Sequence, residues 1–134
     1  MVRVMAFGTF DLLHPGHKHF LAQAQALGDE LIVVVARDAT VRHLKGRQSA
    51  HPEEHRLAQV ASLEQVSKAV LGSEGDKYAV IEEYQPNIIA LGYDQRGFAD
   101  RLQEELLQRC VKATIVRLLP HKEHKYKSSK LRGL

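Results

Sequence analysis

Two histidines separated by a proline and a glycine form the part of this sequence best suited to chemistry. His14 and His17 lie in the stretch F-G-T-F-D-L-L-H-P-G-H, which covers residues 7–17. It joins an apolar segment at residues 2–7 to a helical pattern beginning near Pro15, so it predicts a strand, a glycine-containing loop and a helix start. The first-turn N–H groups of a helix have no partner within it, and the helix dipole adds partial positive charge there. The two imidazoles and this helix start are therefore typical of a phosphate site.

The other residues of the stretch support the same interpretation. Gly8 permits a tight turn and a close approach of the backbone to an anion, and Gly16 keeps a Cβ out of the space between the imidazoles. Thr9 could bind phosphate through its hydroxyl and amide, or it could simply end the strand. Asp11 could serve the acceptor or a nearby metal ion, or it could cap the loop as an Asx turn. Phe10 belongs to the predicted nucleotide-binding set, although its type favours packing.

A zinc site is the competing interpretation of the histidines. His14 and His17 at a spacing of three residues, with His19 nearby, could place ligands on one helical face, and Asp11 could join them. A catalytic zinc site also needs a third ligand and a positioned base, and it gives Gly8 no necessary role. We therefore predict no metal ligands in the protein and keep a zinc hydrolase as an alternative.

Apolar periodicity divides the chain into alternating strands and helices. Strands are predicted at residues 2–7, 31–36, 68–71, 87–91 and 112–118. Helices are predicted at residues 15–27, from 51–54 onward, 76–84 and 97–110. Residues 37–47 are polar and basic, which indicates a mobile arm over the sheet edge. Strands that alternate with helices imply parallel β-α-β units with right-handed crossovers, so the sequence predicts an α/β fold with three layers.

Length and composition indicate one soluble globular domain spanning residues 1–134. Apolar residues make up 44% of the chain and charged residues 26%, which argues against disorder. The longest apolar run, at residues 31–36, is far shorter than the roughly 20 residues of a membrane-spanning helix, and the N-terminus lacks a signal-peptide pattern. We expect no membrane association and a cytoplasmic location.

Charge and cysteine content narrow the possible partners. The net charge is +3, and residues 118–134 form a basic C-terminal segment. This segment lacks interleaved aromatic residues and any recognisable nucleic-acid module, so we predict no nucleic-acid partner. Cys110 is the single cysteine, which excludes an intrachain disulfide and a multi-cysteine zinc site. On a predicted helix it is expected to be a small packed hydrophobe.

The pattern G-T-F-D-x-x-H-x-G-H resembles the signature of the HxGH nucleotidyltransferase superfamily. More narrowly, the chain resembles the glycerol-3-phosphate cytidylyltransferase group and its archaeal-type FAD synthetase relatives. The resemblance implies a Rossmann-like α/β/α sandwich whose five parallel strands follow the order 3-2-1-4-5. In such a sheet the winding reverses between strands 1 and 4, and ligands bind beyond the carboxyl ends of these strands. Residues 8–11 should then lie beside residues 92–95.

The resemblance also implies roles for individual residues. His14 and His17 correspond to the residues that contact the triphosphate and stabilise the transition state, and Lys45 to an arm lysine that reaches the phosphates. These three form the predicted catalytic set. Arg56 matches an arginine of the second helix that helps form the acceptor or phosphate site. A surface arginine paired with Glu53 is the competing interpretation.

Two later motifs complete the predicted site. The G-Y-D-Q sequence at residues 92–95 resembles the G-x-D element after strand 4, in which Gly92 allows the turn and Asp94 accepts from a ribose hydroxyl or a base amine. Tyr93 is predicted to contact the acceptor or to pack. The K-S-S-K sequence at residues 127–130 resembles a late I-S-[ST]-[ST]-K element, in which Ser128 and Ser129 would hold phosphates at a helix start. Lys127 departs from the small hydroxyl residue of that element, and ordinary serines of the C-terminal segment are the competing interpretation.

The implied reaction is a magnesium-dependent transfer of a nucleotidyl group from a nucleoside triphosphate to a phosphorylated acceptor, with release of pyrophosphate. Residues 90–95 and 35–38 are similar to the FAD synthetase branch and favour ATP and FMN as substrates. CTP with glycerol 3-phosphate is the alternative pair. A nucleotide-binding regulator without turnover is a further alternative from another class. The resemblance also implies a homodimer.

Overall fold

Five short strands form a single parallel sheet in the computed structural model, which describes residues 1–11, 13, 15–46, 49–92 and 96–118. Side chains are described for these residues except 44, 45 and 96–100. The strands are β1 (Arg3–Gly8), β2 (Glu30–Val35), β3 (Lys68–Leu71), β4 (Ile88–Leu91) and β5 (Thr114–Arg117). The helices are α1 (Pro15–Gln25), α2 (Asp38–Lys45), α3 (Glu53–Ala61), α4 (Ala79–Tyr84) and α5 (Arg96–Gln108).

The strand order is β3-β2-β1-β4-β5, which confirms the predicted topology. Val4 of the central strand β1 pairs with Leu31 of β2 on one side and with Ile88 of β4 on the other. Every residue of β2 from Leu31 to Val35 is buried, as expected for a strand covered on both faces. The chain therefore reverses its winding direction between β1 and β4, where a ligand crevice is expected.

Helices cover both faces of the sheet and create two apolar cores. Alternate residues of β1 point to opposite faces, with Val4 and Ala6 in one core and Met5 in the other. The first core also contains residues of α1 and α3, namely Leu21, Ala24 and Val60. The second core also contains residues of α4 and α5, namely Val80, Ile81, Leu102 and Leu106. These two cores make the predicted three-layer sandwich.

The predicted mobile arm at residues 37–47 is wrong, because most of it forms helix α2. The helix was hard to recognise since Val41 is its one buried residue among those whose side chains are described. Its ends carry ordinary signals: Asp38 is an acid in the first turn, and Gly46 follows the last turn with a left-handed φ of 70°. The Gly46 N–H donates to the Arg42 carbonyl oxygen at 2.8 Å and closes the helix.

The prediction that Cys110 is a packed hydrophobe is also wrong, because its side chain is exposed. Helix α5 ends at Gln108, and Cys110 adopts a left-handed φ of 58° just beyond it. The Val111 N–H donates to the Leu106 carbonyl oxygen at 2.9 Å, and both side chains lie in the second core. This arrangement is a Schellman motif, a helix ending that usually places glycine where Cys110 stands.

The remaining helix boundary that differs notably is the start of α4. The sequence predicts a helix from Asp76, whereas α4 begins at Ala79. Asp76 instead starts a turn, in which its carboxylate accepts a hydrogen bond of 3.1 Å from the Tyr78 N–H. Among the described helices, we find none with the length and apolar character needed to cross a membrane.

Candidate active site

Phe10, in the loop after β1, makes an aromatic contact with His17. Phe10 has a left-handed φ of 52°, and its ring is buried in the first core. The His17 ring on the first turn of α1 meets the Phe10 ring edge to face, with 5.4 Å between ring centroids and an interplanar angle of 67°. Such contacts restrict the orientation of both rings. Phe10 therefore orients His17, which agrees with the packing role that its residue type favours.

Gly8 is required by the same aromatic ring. A Cβ at Gly8 would lie 2.6 Å from two ring atoms of Phe10, which is closer than any real side-chain contact. Gly8 is the last residue of strand β1, so its backbone conformation does not itself demand glycine. The space taken by Phe10 explains this glycine, a reason that the sequence did not reveal.

Asp11 ties this loop to the start of α3. One carboxylate oxygen accepts from the Ala50 N–H at 2.7 Å and the other from the His51 N–H at 2.9 Å. Burial raises the pKa of the Asp11 carboxyl, but these two backbone hydrogen bonds outweigh it, so the net pKa is lower than usual. The alternative of an Asx turn expected partners within the loop itself, whereas these two partners lie in the segment before α3. Contact between Asp11 and an acceptor stays a prediction.

Arg56 is a fully buried charged residue, and it connects three segments of the site. Its guanidinium donates to the carbonyl oxygens of Thr9 at 2.8 Å, Ala36 at 2.7 Å and His51 at 3.0 Å. It also forms an ion pair of 2.7 Å with Asp38, not with Glu53 as the competing interpretation expected. Two of these hydrogen bonds hold the carboxyl ends of β1 and β2, and the other two hold the start of α2 and the segment before α3. In the described structure Arg56 shapes the site from below its surface.

Asp38 and Glu53 join the starts of helices α2 and α3. The Asp38 N–H donates to a Glu53 carboxylate oxygen at 2.7 Å, and the Glu53 N–H donates to Asp38 Oδ2 at 3.3 Å. The hydrogen bond from Arg56 holds the pKa of the Asp38 carboxyl below its usual range. Each acid thereby caps the other helix and satisfies a first-turn N–H group.

Lys45 lies in the last turn of α2, so a helix and not a loop carries it. Its side chain is outside the described part of the structure. The position of its backbone depends on Asp38 at the other end of the helix, and hence on Arg56. His14, Tyr93, Asp94, Ser128 and Ser129 also lie outside the described residues.

Gly92 follows strand β4 beside the motif loop. The β1–β4 register pairs Ala6 with Ala90, so a continuation by two residues places Gly8 level with Gly92. The Gly92 carbonyl oxygen accepts from the Arg117 guanidinium at 2.8 Å. The described residues contain no cluster of three or more His, Cys, Asp or Glu side chains suited to a metal ion. Because His14 is not among them, this finding does not test the zinc interpretation.

A cavity of about 960 Å³ adjoins the motif loop on the side of β2 and β3. It lies between the carboxyl ends of β1 and β2, helices α2 and α5, and the loop after β3. Its walls include apolar and charged side chains together with the backbone of the motif loop, namely Phe7, Gly8, Thr9, Val34, Arg37, Thr40, His43, Lys77, Tyr78, Arg101, Glu105 and Arg109. Sequence reasoning identified Gly8 and Thr9 but missed the others, because no short motif links segments so far apart.

The strand order places the motif loop at the carboxyl edge of a doubly wound sheet, where ligands bind in such folds, and the family comparison gives the class of protein. Residues 5–134 match the model of the cytidylyltransferase-like family, so the chain belongs to that family and is a nucleotidyltransferase. More particularly, it is 52% identical over 123 residues to an FAD synthase of Methanosarcina mazei, covering 92% of this chain and 80% of that protein. An FAD synthase of Archaeoglobus profundus is 50% identical over 129 residues, with 96% and 82% covered.

Solved structures agree on the fold. A protein of Thermoplasma volcanium described as a lipopolysaccharide core biosynthesis protein has a TM-score of 0.86 and 44% identity. The alignment covers 91% of this chain and 99% of that one. A pantoate–beta-alanine ligase of Francisella tularensis has a TM-score of 0.61 at 13% identity, covering 88% and 59%. The latter likeness concerns the fold alone.

Proposed function

We propose that this nucleotidyltransferase transfers the adenylyl group of ATP to FMN, forming FAD and pyrophosphate. The relatives named FAD synthase support this choice because their identity of about one half extends over most of both chains. The structural observation that carries the proposal is the cavity beside Gly8 and Thr9. It provides an acceptor site next to the loop that is expected to bind phosphate.

The size and lining of the cavity favour a flavin over a small phosphoalcohol. Its volume of about 960 Å³ lies within the range of roughly 300–1,000 Å³ that is usual for ligands of drug-like size. Phe7 is partly exposed in this wall, and the small exposed parts of Val34 and Tyr78 add to its apolar surface. Glycerol 3-phosphate would leave most of this apolar surface in contact with water. CTP with glycerol 3-phosphate remains the second candidate, supported by the motif.

The proposed reaction is an in-line displacement at phosphorus. A phosphate oxygen of FMN attacks the α-phosphorus of ATP, a new P–O bond forms, and the bond from the α-phosphorus to the oxygen bridging the β-phosphate breaks. The electron pair of that bond leaves with pyrophosphate. His14, His17 and the N–H groups at the start of α1 stabilise the charge on the phosphates, and Lys45 provides a further cation. Phe10 keeps the His17 ring in the required orientation.

The later motifs act on the nucleotide in the same proposal. Gly92 and Asp94 contact the ribose or base, Ser128 and Ser129 contact the phosphates, and Tyr93 contacts the acceptor. A homodimer in the cytoplasm is part of the same proposal, on the basis of the motif resemblance. Sedimentation of the purified chain tests the dimer.

Magnesium would enter with ATP, because Mg²⁺ in such sites is held largely by substrate phosphates and water. Asp11 is the carboxylate of the motif loop that fits this role. Both of its oxygens accept backbone hydrogen bonds, and each keeps a second lone pair. The ion would neutralise charge on the β- and α-phosphates as pyrophosphate leaves.

A substrate matrix tests the function. Purified protein is incubated with ATP or CTP and with FMN or glycerol 3-phosphate, and both pyrophosphate and the joined product are measured. We expect FAD only from ATP with FMN, and a loss of turnover of about 10²–10³-fold in His17→Ala with the fold intact as judged by circular dichroism. Product from CTP with glycerol 3-phosphate would establish the second candidate. Nucleotide binding without pyrophosphate in any combination would indicate a regulator.

A further inference from the structure

Arg109, just beyond α5, forms an ion cluster at the wall of the cavity. Its Nε donates to Glu105 at 2.9 Å, and its two Nη atoms lie 2.9 and 3.0 Å from oxygens of Asp76. Nη1 also contacts Glu82 at 2.9 Å. One planar guanidinium thus connects helix α5, helix α4 and the loop after β3. These contacts raise the pKa of Arg109, chiefly through Asp76.

The same guanidinium fixes Tyr78 in two ways. Its Cζ lies 5.6 Å from the centroid of the Tyr78 ring, within the range of a cation–π contact. Asp76, which Arg109 holds, accepts a hydrogen bond from the Tyr78 backbone N–H. Tyr78 is 6% exposed, and it belongs both to the second core and to the cavity wall. Arg109 therefore controls the backbone and the ring of the largest aromatic residue in this wall.

The loop that carries Asp76 and Tyr78 needs such support. Residues 72–78 join β3 to α4 without a helix or strand of their own, and Gly75 has a left-handed φ of 81°. Partly exposed ion pairs of this kind contribute little to global stability. The donors of a guanidinium are fixed in one plane, so a guanidinium shared by three carboxylates restricts the relative positions of the three segments that carry them. This restriction matters more here than the added stability. The expected effect of the cluster is on the shape of the cavity.

We propose that Arg109 is a positioning residue for the acceptor: by holding Asp76 and Tyr78 against α5, it sets the affinity of the cavity for the flavin ring of FMN. This proposal rests on the proposed function. Gly8 and Thr9, near which the phosphates would meet, and Arg109 all line this one cavity. In the proposed function the flat ring of FMN occupies the cavity lined by Tyr78 and Arg109, whereas ATP occupies the crevice between β1 and β4. Arg109 therefore acts on FMN and not on ATP.

Direct FMN binding and steady-state kinetics test the proposal in the full chain. We compare wild type with Arg109→Gln and Arg109→Lys, using flavin fluorescence for the Kd of FMN and pyrophosphate release for kcat and the two KM values. Arg109→Gln should raise the Kd and KM of FMN about tenfold and leave kcat and the KM of ATP within about twofold. Arg109→Lys keeps the charge but lacks the fork, so it should give an intermediate Kd.

Arg3→Gln is the matched control. Arg3 also forms an ion pair, with Glu30 at 2.8 Å, and also contacts the end of α4 through the Tyr84 carbonyl oxygen, but it lies at the amino end of β1, away from the cavity. This variant should leave the Kd of FMN within about twofold of wild type. An unchanged Kd of FMN in Arg109→Gln, or an equal rise in the KM of ATP, would overturn the proposal.

A second variant and the wild-type assay distinguish failure of the Arg109 proposal from failure of the proposed function. If Arg109→Gln does not fold, as judged by circular dichroism, Tyr78→Leu replaces it, and the same selective rise in the Kd of FMN is expected. The proposed function is judged on wild type alone, by whether FAD forms. A wild type that binds FMN without forming FAD refutes the function and still allows the Arg109 comparison through the Kd. A wild type that does not bind FMN refutes both.

Discussion

The guanidinium of Arg56 lies 2.7 Å from Asp38 Oδ1, and its side chain is completely buried beneath the motif loop. Because the same side chain donates to the carbonyl oxygens of Thr9 and Ala36, it connects the motif loop to the start of the helix that carries Lys45. The sequence assigns Arg56 to the acceptor site, and the structure shows it fully buried, where it supports two segments that the proposed chemistry requires.

Removal of this guanidinium should destabilise the fold strongly. Arg56→Met leaves Asp38 without its cation and three carbonyl oxygens without this fully buried donor, so we expect a loss of roughly 3–5 kcal/mol in the free energy of unfolding. Urea denaturation measures it. Arg3→Met removes a partly exposed ion pair and should cost no more than about 1 kcal/mol. Equal losses in the two variants would contradict the role assigned to Arg56.

The Asp38 ion pair should make the stability of the fold fall at low pH. The hydrogen bond from Arg56 lowers the pKa of Asp38 in the folded state, so this contribution is fully present above the unfolded value of about 3.9 and disappears as the pH falls through the folded value. Asp38→Asn should therefore be clearly less stable than wild type at pH 6, and the difference should shrink towards pH 3. Urea midpoints across this range provide the measurement, and a constant difference would show that the charge of Asp38 is not involved.

A methyl group at Gly8 should disturb catalysis through Phe10. The added Cβ would come within 2.6 Å of the Phe10 ring, and displacement of that ring moves its partner His17. We expect Gly8→Ala to lower kcat by about tenfold or more, because misplacement of a catalytic group by about 1 Å is costly. Gly72→Ala is the steric control for stability, since its nearest contact is Val34 Cγ1 at 3.6 Å. A normal kcat in Gly8→Ala would show that Phe10 does not control the orientation of the His17 ring.

Glycine at position 110 should stabilise the protein. Cys110 is exposed and holds a left-handed φ of 58°, a conformation that costs a residue with a Cβ about 1–2 kcal/mol. Cys110→Gly removes this strain and should raise the free energy of unfolding by up to about 1 kcal/mol, since glycine also adds freedom to the unfolded chain. Cys110→Ala keeps the Cβ and should change little. Thermal melting of both variants decides between strain and a simple effect of losing the thiol.

Much of the fold could be predicted from the sequence because local apolar patterns indicate the strands and most of the helices. The uninterrupted apolar run at residues 31–36 indicates a buried parallel strand, and the motif resemblance supplies the strand order, which the structure confirms. Helix α2 was missed because it buries so little apolar surface. The ion pair of Arg56 with Asp38 and the cluster around Arg109 join segments far apart in sequence, so no local spacing indicates them. The motif loop was predicted by its residues, whereas the cavity beside it exists only once the strands are paired.

The central position of β1 has a consequence for how the chain is made. Val4 finds its partner Leu31 early in synthesis, but its partner on the other side, Ile88, emerges much later. Until then a nascent chain has an apolar strand with one unpaired edge, and such edges bind chaperones and are prone to aggregation. A ribosome-bound fragment that stops before β4 would contain the whole histidine motif and still lack the crevice between β1 and β4.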